Sequence, residues 1–282
     1  MWGYARACVI AASVAAWSAA CASFSADATT SPTALEGGAN DAADAPMSDG
    51  APMDSSADAD DTAATMVEIT TAAGGPRFAI DKTEVTIARF SEFRVAHSTM
   101  STFPNCPGKT TLGPSGGGCT LGSNPEQPIT CVDWCDAKAY CEGVGKRLCG
   151  AIGGGGMTLP GMEGNPAFDE WARACTGPAN TPWPYGSSMN STACNTSESG
   201  KGAPVPVATF AACQGGEHGL FDMSGNVEEW IDACTPSDTG THCLVRGGGW
   251  KDDTMDSTCA HPIVAGIRDV YEDVGFRCCK SL

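Results

Sequence analysis

Between Arg6 and Arg77 the chain has no lysine or arginine, while ten carboxylates fall in that window. The whole protein carries a formal charge of −17. Nucleic-acid binders need clustered cations to displace counterions from phosphates. A chain this acidic excludes a nucleic-acid partner. A long apolar run is also missing. The N-terminal stretch Ala7 to Ala20 is small and apolar but only 14 residues long, against the roughly 17–25 a membrane-spanning helix needs. Histidine is scarce. His97, His218, His242 and His261 are scattered with no HxxxH or HxxE spacing, so no histidine metal triad is written here. The paired CxxC knuckles of a zinc site are absent too, although Cys131 and Cys135, and Cys278 and Cys279, stand close together. Ser224-Gly225 lacks the nucleophile-elbow pattern of a serine hydrolase. Asp252, Asp253 and Asp256 follow Trp250 and read first as a solvated surface, with a polar groove mouth as the alternative; a paired-carboxylate hydrolase needs firmer geometry than spacing gives.

What the sequence does have is sulfur. Of 16 cysteines, 14 lie between Cys106 and Cys279. An oxidising compartment turns so many thiols into a stapled framework, and the even count fits seven bridges. Short loops point to Cys106–Cys119, Cys194–Cys213 and Cys234–Cys243, and the remaining connectivity is open. The N-terminus agrees on compartment. Arg6, the apolar stretch and the small-residue end Ser18-Ala19-Ala20-Cys21 read as a signal peptide over 1–20 that resembles a bacterial lipobox, with Cys21 as the lipidated first residue. Cleavage by ordinary signal peptidase, after Ala20, Ala22 or Ala26, is the alternative. The expected location is the cell envelope, with secretion or a soluble periplasmic form as the alternative, and the only membrane contact is an N-terminal lipid anchor.

Residues 21–66 are mostly Ala, Asp, Ser, Thr, Gly and Pro. They bury too little apolar surface to offset ordering entropy, and their carboxylates repel one another. This segment reads as a disordered acidic tether. Folding signals begin at 67–282. Met66-Val67-Glu68-Ile69 alternates like an edge strand, and Phe78 to Thr86 is a second strand-like run. Ile87 to His97 has the apolar spacing of a short amphipathic helix. Val132 to Cys141 is helical with Asp133 as its cap, and Phe168 to Ala174 is a further short helix. Pro178 to Leu220 is mostly turn-formers. Trp134, Tyr140, Trp171, Trp183, Trp230, Trp250 and Phe276 supply core or groove-lining rings. Arg246 and Arg277, beside glycines, read as buried arginines paired with carboxylates or carbonyls.

Six landmarks stand in order: Phe78 to Thr86; Pro128 to Ala137 continuing to Leu148; Trp183-Pro184-Tyr185-Gly186; Gly219 to Trp230; Arg246-Gly247-Gly248-Gly249-Trp250; and Gly275-Phe276-Arg277-Cys278. In this order they resemble the sulfatase-modifying-factor, or formylglycine-generating-enzyme, family. The resemblance implies one compact α+β domain, related to C-type lectins, with few long elements and held by disulfides.

It also implies a structural calcium held by the side chains of Asp222 and Glu229 and the carbonyls of Gly225 and Val227. Hard cations mix carboxylate and backbone oxygens in this way. In the family two cysteines hold copper(I), six and eleven residues after the arginine of the Arg-Gly-Gly motif. Counting from Arg246 gives Asp252 and Ser257. Neither is a soft thiolate ligand for copper(I), so no copper is expected. The expectation is therefore a non-catalytic recognition or accessory module for a peptide, glycan or envelope protein. The alternative is an oxidoreductase of the formylglycine-generating type using a displaced cysteine, for which Cys259 is the candidate.

Overall fold

The computed structural model describes residues 65–71, 75–104, 106–114, 119–157, 160–238 and 240–282. The expected leader over 1–20, the Cys21 lipidation site and most of the 21–66 tether lie outside the described residues. Two four-stranded sheets and three helices organise the rest. The first sheet holds β1 (Met66–Ile69), β2 (Phe78–Asp81), β3 (Arg147–Leu148) and β8 (Cys278–Ser281), in the order β1-β2-β8-β3 and antiparallel throughout. The second holds β4 (Glu228–Ser237), β5 (Gly240–Arg246), β6 (Pro262–Gly266) and β7 (Val274–Phe276), in the order β6-β5-β4-β7 with β7 parallel to β4. This is an α+β fold whose C-terminal strand β8 inserts beside β2, joining the two ends of the domain.

β1 stands at the sheet edge, paired with β2 alone. The second strand-like run is shorter than its sequence suggests and stops at Asp81. There the carboxylate leaves the ladder to accept the Cys278 N–H at 2.9 Å and to pair with Lys146 at 2.7 Å. Helix α1 (Ile87–Ala96) starts at the Thr86 cap and buries Phe90 and Phe93. Helix α2 (Trp134–Gly143) is opened by a reciprocal capping box. Asp133 accepts the Asp136 N–H, and Asp136 accepts the Asp133 N–H, satisfying donors that every helix start leaves open. Helix α3 (Glu170–Thr176) begins two residues later than Phe168, because Asp169 is its cap and accepts from the Ala172 N–H.

The rings form the core. Phe90, Trp134, Tyr140, Trp230 and Phe276 pack in one cluster, with Tyr140 and Phe276 edge-to-face at 5.4 Å. Trp171, Ile80, Ile231 and Leu244 pack in a second. Of the seven aromatics singled out, only Trp250 is partly exposed, and it lines a groove.

Seven bridges hold this frame. Cys194–Cys213 and Cys234–Cys243 close short loops. The expected Cys106–Cys119 bridge is not formed: Cys106 joins Cys135 and Cys119 joins Cys131. The reason is local. Cys131 takes a left-handed backbone with φ 61° just before α2, and the loop after α1 folds over the start of that helix, so each loop cysteine meets a helix-end cysteine first. Cys278 and Cys279 are strand neighbours, whose side chains point to opposite faces. One reaches Cys141 on α2 and the other Cys149. Cross-links spanning 137 and 130 residues remove the most unfolded-chain entropy, about 5 kcal/mol each in the chain-entropy model. Cys175–Cys259 completes the set.

Candidate functional site

β5 ends at Arg246 and runs into Gly247-Gly248-Gly249. Gly247 and Gly248 both have positive φ, and a Cβ on Gly248 would collide with the Ser257 hydroxyl. Only glycine lets the following loop fold back this tightly. Residues 250–258 then lie beside the hairpin. Asp252 accepts the Gly249 N–H at 2.7 Å, and its carbonyl accepts from Ser197 N–H at 2.9 Å. Ser257 is fully buried, donates to the Asp253 carbonyl at 2.9 Å and accepts from the Ser224 hydroxyl through its own carbonyl. Both are committed to local backbone. Cys259 is bridged to Cys175 and has no exposed surface.

Behind Asp252 stands Glu228, the first residue of β4. Burial, then the neighbouring carboxylates of Asp252 and Asp273, push its carboxyl up to about 8, because a charge there is poorly solvated and repelled. A cleft of about 210 Å³ opens alongside, lined by Leu121, Gln127, Pro128, Thr130, Trp250 and Glu272 among others. Lys251 bridges Glu272 and Asp273 at 3.0 Å each and lies 5.1 Å over the Trp250 ring. The Trp250 indole N–H is buried with no acceptor. Of this region only Trp250 and Glu272 line the cleft; Asp252, Asp253 and Asp256 do not. Glu228 and Asp273 complete the cluster, and sequence spacing does not reveal them because they arrive from β4 and the loop before β7.

Three of the expected calcium ligands, Asp222, Gly225 and Val227, lie in the turn before β4, and Glu229 is the second residue of that strand. Asp222, Gly225 and Asn226 all have positive φ, and a Cβ on Gly225 would meet the Asn195 carbonyl at 2.6 Å. Asp222 is buried and accepts the Ala208 N–H at 2.6 Å. Burial raises its carboxyl to about 6 against the pull of Ala208 and Arg277. Burial and Asp222 together raise Glu84 well above its usual range. One Glu84 oxygen accepts from Asn226 at 3.0 Å and the other is buried without a donor. Glu229 is placed differently. Its carboxylate takes Arg277 at 2.7–2.9 Å and the Trp171 indole N–H at 2.8 Å.

Three buried carboxylates here face one guanidinium, and the orphaned Glu84 oxygen fits a site short of positive charge. Among the described residues, however, no three His, Cys, Asp or Glu side chains converge as a metal-holding group. A cation here would rest on Asp222 and on carbonyls of the turn. Glu229 joins it only by giving up a present donor.

Comparison with known proteins places this geometry. Residues 49–282 match the model of the sulfatase-modifying factor enzyme 1-like domain, starting 18 residues before the expected boundary at 67. A Bos taurus protein named inactive C-alpha-formylglycine-generating enzyme 2 is 27% identical over 185 residues, 60% of this chain and 55% of that protein. The formylglycine-generating enzyme of Thermomonospora curvata is 29% identical over 209 residues, 61% of each. Among solved structures, PvdO from Pseudomonas aeruginosa superposes with a TM-score of 0.53 at 20% identity, over 73% of this chain and 81% of that one; at that identity the likeness concerns the fold. The chain spans between 24% and 61% of the length of such curated relatives.

Proposed function

This chain belongs to the sulfatase-modifying factor enzyme 1-like family, and from that premise we propose that it is a non-catalytic recognition or accessory module of the cell envelope. The observation that carries the reading is where its sulfur goes. All fourteen cysteines from Cys106 to Cys279 are joined in seven bridges. Asp252 and Ser257 occupy the positions that the resemblance assigns to the copper thiols. A carboxylate and a hydroxyl bind copper(I) poorly and cannot exchange disulfides. Cys259, the one displaced candidate, is closed by Cys175. The cleft beside Trp250 offers an apolar wall and an acidic end, a surface suited to a peptide or glycan. The bridges also favour an oxidising compartment, in keeping with export and a lipid anchor on Cys21.

The test is direct. The full chain, given copper(I), oxygen and a cysteine peptide of a sulfatase, is expected to form no aldehyde, and its own bridges are expected to stay closed. Aldehyde formation above a metal-only control overturns the reading.

Calcium is part of the same proposal. It would rest on Asp222, the carbonyls of Gly225 and Val227, and Glu229 once a donor is released. When bound it supplies positive charge to a turn that buries three carboxylates. The role is to fix the entry to β4, not to take part in chemistry.

A further inference from the structure

The loop after α1 carries a buried amine that no part of the proposed function uses. Lys109 is 2% exposed at its side chain, and its Nζ lies 2.7 Å from Asp136 and 3.0 Å from Asp133. The Phe103 ring covers it at 5.5 Å. Asp136, with no exposed side chain, receives two backbone donors besides: the Gly113 N–H on one oxygen at 2.7 Å and the Asp133 N–H on the other at 3.1 Å. The Asp133 carboxylate is held from its far side by Arg268 at 2.9 Å. So a nucleophile, an acyl carbon with two N–H groups aimed at its oxygens, and a second carboxylate within reach of the nitrogen are gathered out of water.

We propose that Lys109 and Asp136 condense into an intramolecular isopeptide bond that fastens the loop after α1 to the first turn of α2. The step balances without any cofactor or oxidant. Transfer of one proton from the Lys109 ammonium to Asp136 leaves an amine beside a carboxylic acid. Burial, and then the charge of Asp133, already hold the Asp136 carboxyl at about 6. The Nζ lone pair attacks Cγ of Asp136, whose Oδ1 lies 2.7 Å from Nζ, while the Gly113 and Asp133 N–H groups stabilise the charge that develops on the carboxyl oxygens. Asp133 takes the proton lost by nitrogen and returns it to the departing hydroxyl. The new N–C bond replaces the C–OH bond, and one water leaves. Two cations and two carboxylates start the step, and the Asp133–Arg268 pair remains at its end.

The test uses the purified full chain, reduced, denatured and digested with trypsin. The expected result is no cut after Lys109 and a single fragment, residues 95–138, closed on itself by the link and lighter than its own sequence mass by one water. Lys109→Met supplies the unlinked reference. Asp136→Asn tests the balance, since a bond formed from it releases ammonia in place of water. Asp133→Ala keeps both partners and is expected to lose the link; a link that survives there overturns the part given to Asp133. Complete cutting after Lys109 in the wild-type chain, with both peptides at their sequence masses, overturns the proposal outright and leaves an ion pair. None of these readouts depends on the groove or on catalytic activity.

Discussion

Replacing Arg246 by methionine tests whether the family landmark at the end of β5 is a structural residue. The Arg246 guanidinium lies 2.8 Å from Asp169 with both side chains fully buried, and it also donates to the Ala260 carbonyl at 3.1 Å. Methionine fills much of the same volume but leaves the Asp169 carboxylate with no cation. Breaking a buried pair by removing one partner costs about 3–5 kcal/mol. Asp169 keeps two backbone donors, Ala172 N–H at 3.0 Å and Gly164 N–H at 2.9 Å, which favours the lower end, about 3 kcal/mol. For a domain of this size that corresponds to a fall in melting temperature of about 6–12 °C. The assay is equilibrium urea unfolding at neutral pH with the bridges intact, on the single variants Arg246→Met and Asp169→Asn and on the double. The Asn in the double variant keeps a helix cap while removing the orphaned charge, so the double is expected to recover at least half of the loss. A change within about 1 kcal/mol for Arg246→Met, well below the cost of an unpaired buried charge, refutes the reasoning. So does a double variant that is worse than the sum of the singles.

Two further outcomes follow from the carboxylates. Chelating calcium from the full chain is expected to lower its melting temperature by several degrees, since a ligand at about a hundred times its dissociation constant adds about 2.7 kcal/mol; Asp222→Ala is expected to melt identically with and without chelator, and an unchanged wild-type curve removes the calcium proposal. For Glu228, a folded carboxyl at about 8 against an ordinary 4.5 means that the folded state keeps a proton the unfolded state releases. The stability this contributes is full below about 4.5 and is lost as pH rises through about 8. Glu228→Gln, which mimics the protonated form, is therefore expected to match the wild type near pH 5 and to exceed it at pH 8.5. Parallel pH profiles in urea melts would show that Glu228 is not the titrating group.

Part of this molecule is legible from local chemistry alone. Asp133 three residues ahead of Asp136 spells a capping box, and the α2 start follows from it. The strand at Met66–Ile69 and the helix from Ile87 are local patterns as well, and the structure holds both. What sequence spacing does not carry is which distant group meets which. Cys106 and Cys119 are 13 residues apart yet join Cys135 and Cys131, which stand at the start of α2. Glu229 is a calcium-type residue by position, but its carboxylate meets Arg277, 48 residues on, and Trp171, 58 residues back. Glu228 and Asp252 become neighbours only after β4 and the hairpin after β5 are packed together. The charge at position 228 is visible in the sequence, but its meeting with Asp252 and Asp273 is not.

The same contrast explains why the family could be named from the sequence while the activity could not. Arg246, Arg277, Trp171 and Trp230 are fully buried, and the two arginines each neutralise a buried carboxylate. Changing one leaves a charge or a hole inside the domain, so the fold itself demands them wherever it is used. Positions 252 and 257 are under a different constraint. Asp252 needs only to accept one N–H from Gly249, and Ser257 needs only to be small enough to pass under Gly248. The residues that write the fold are thus physically separate from positions 252 and 257, to which the proposed reading assigns the lost copper ligands, so the landmarks of the fold do not by themselves carry an activity.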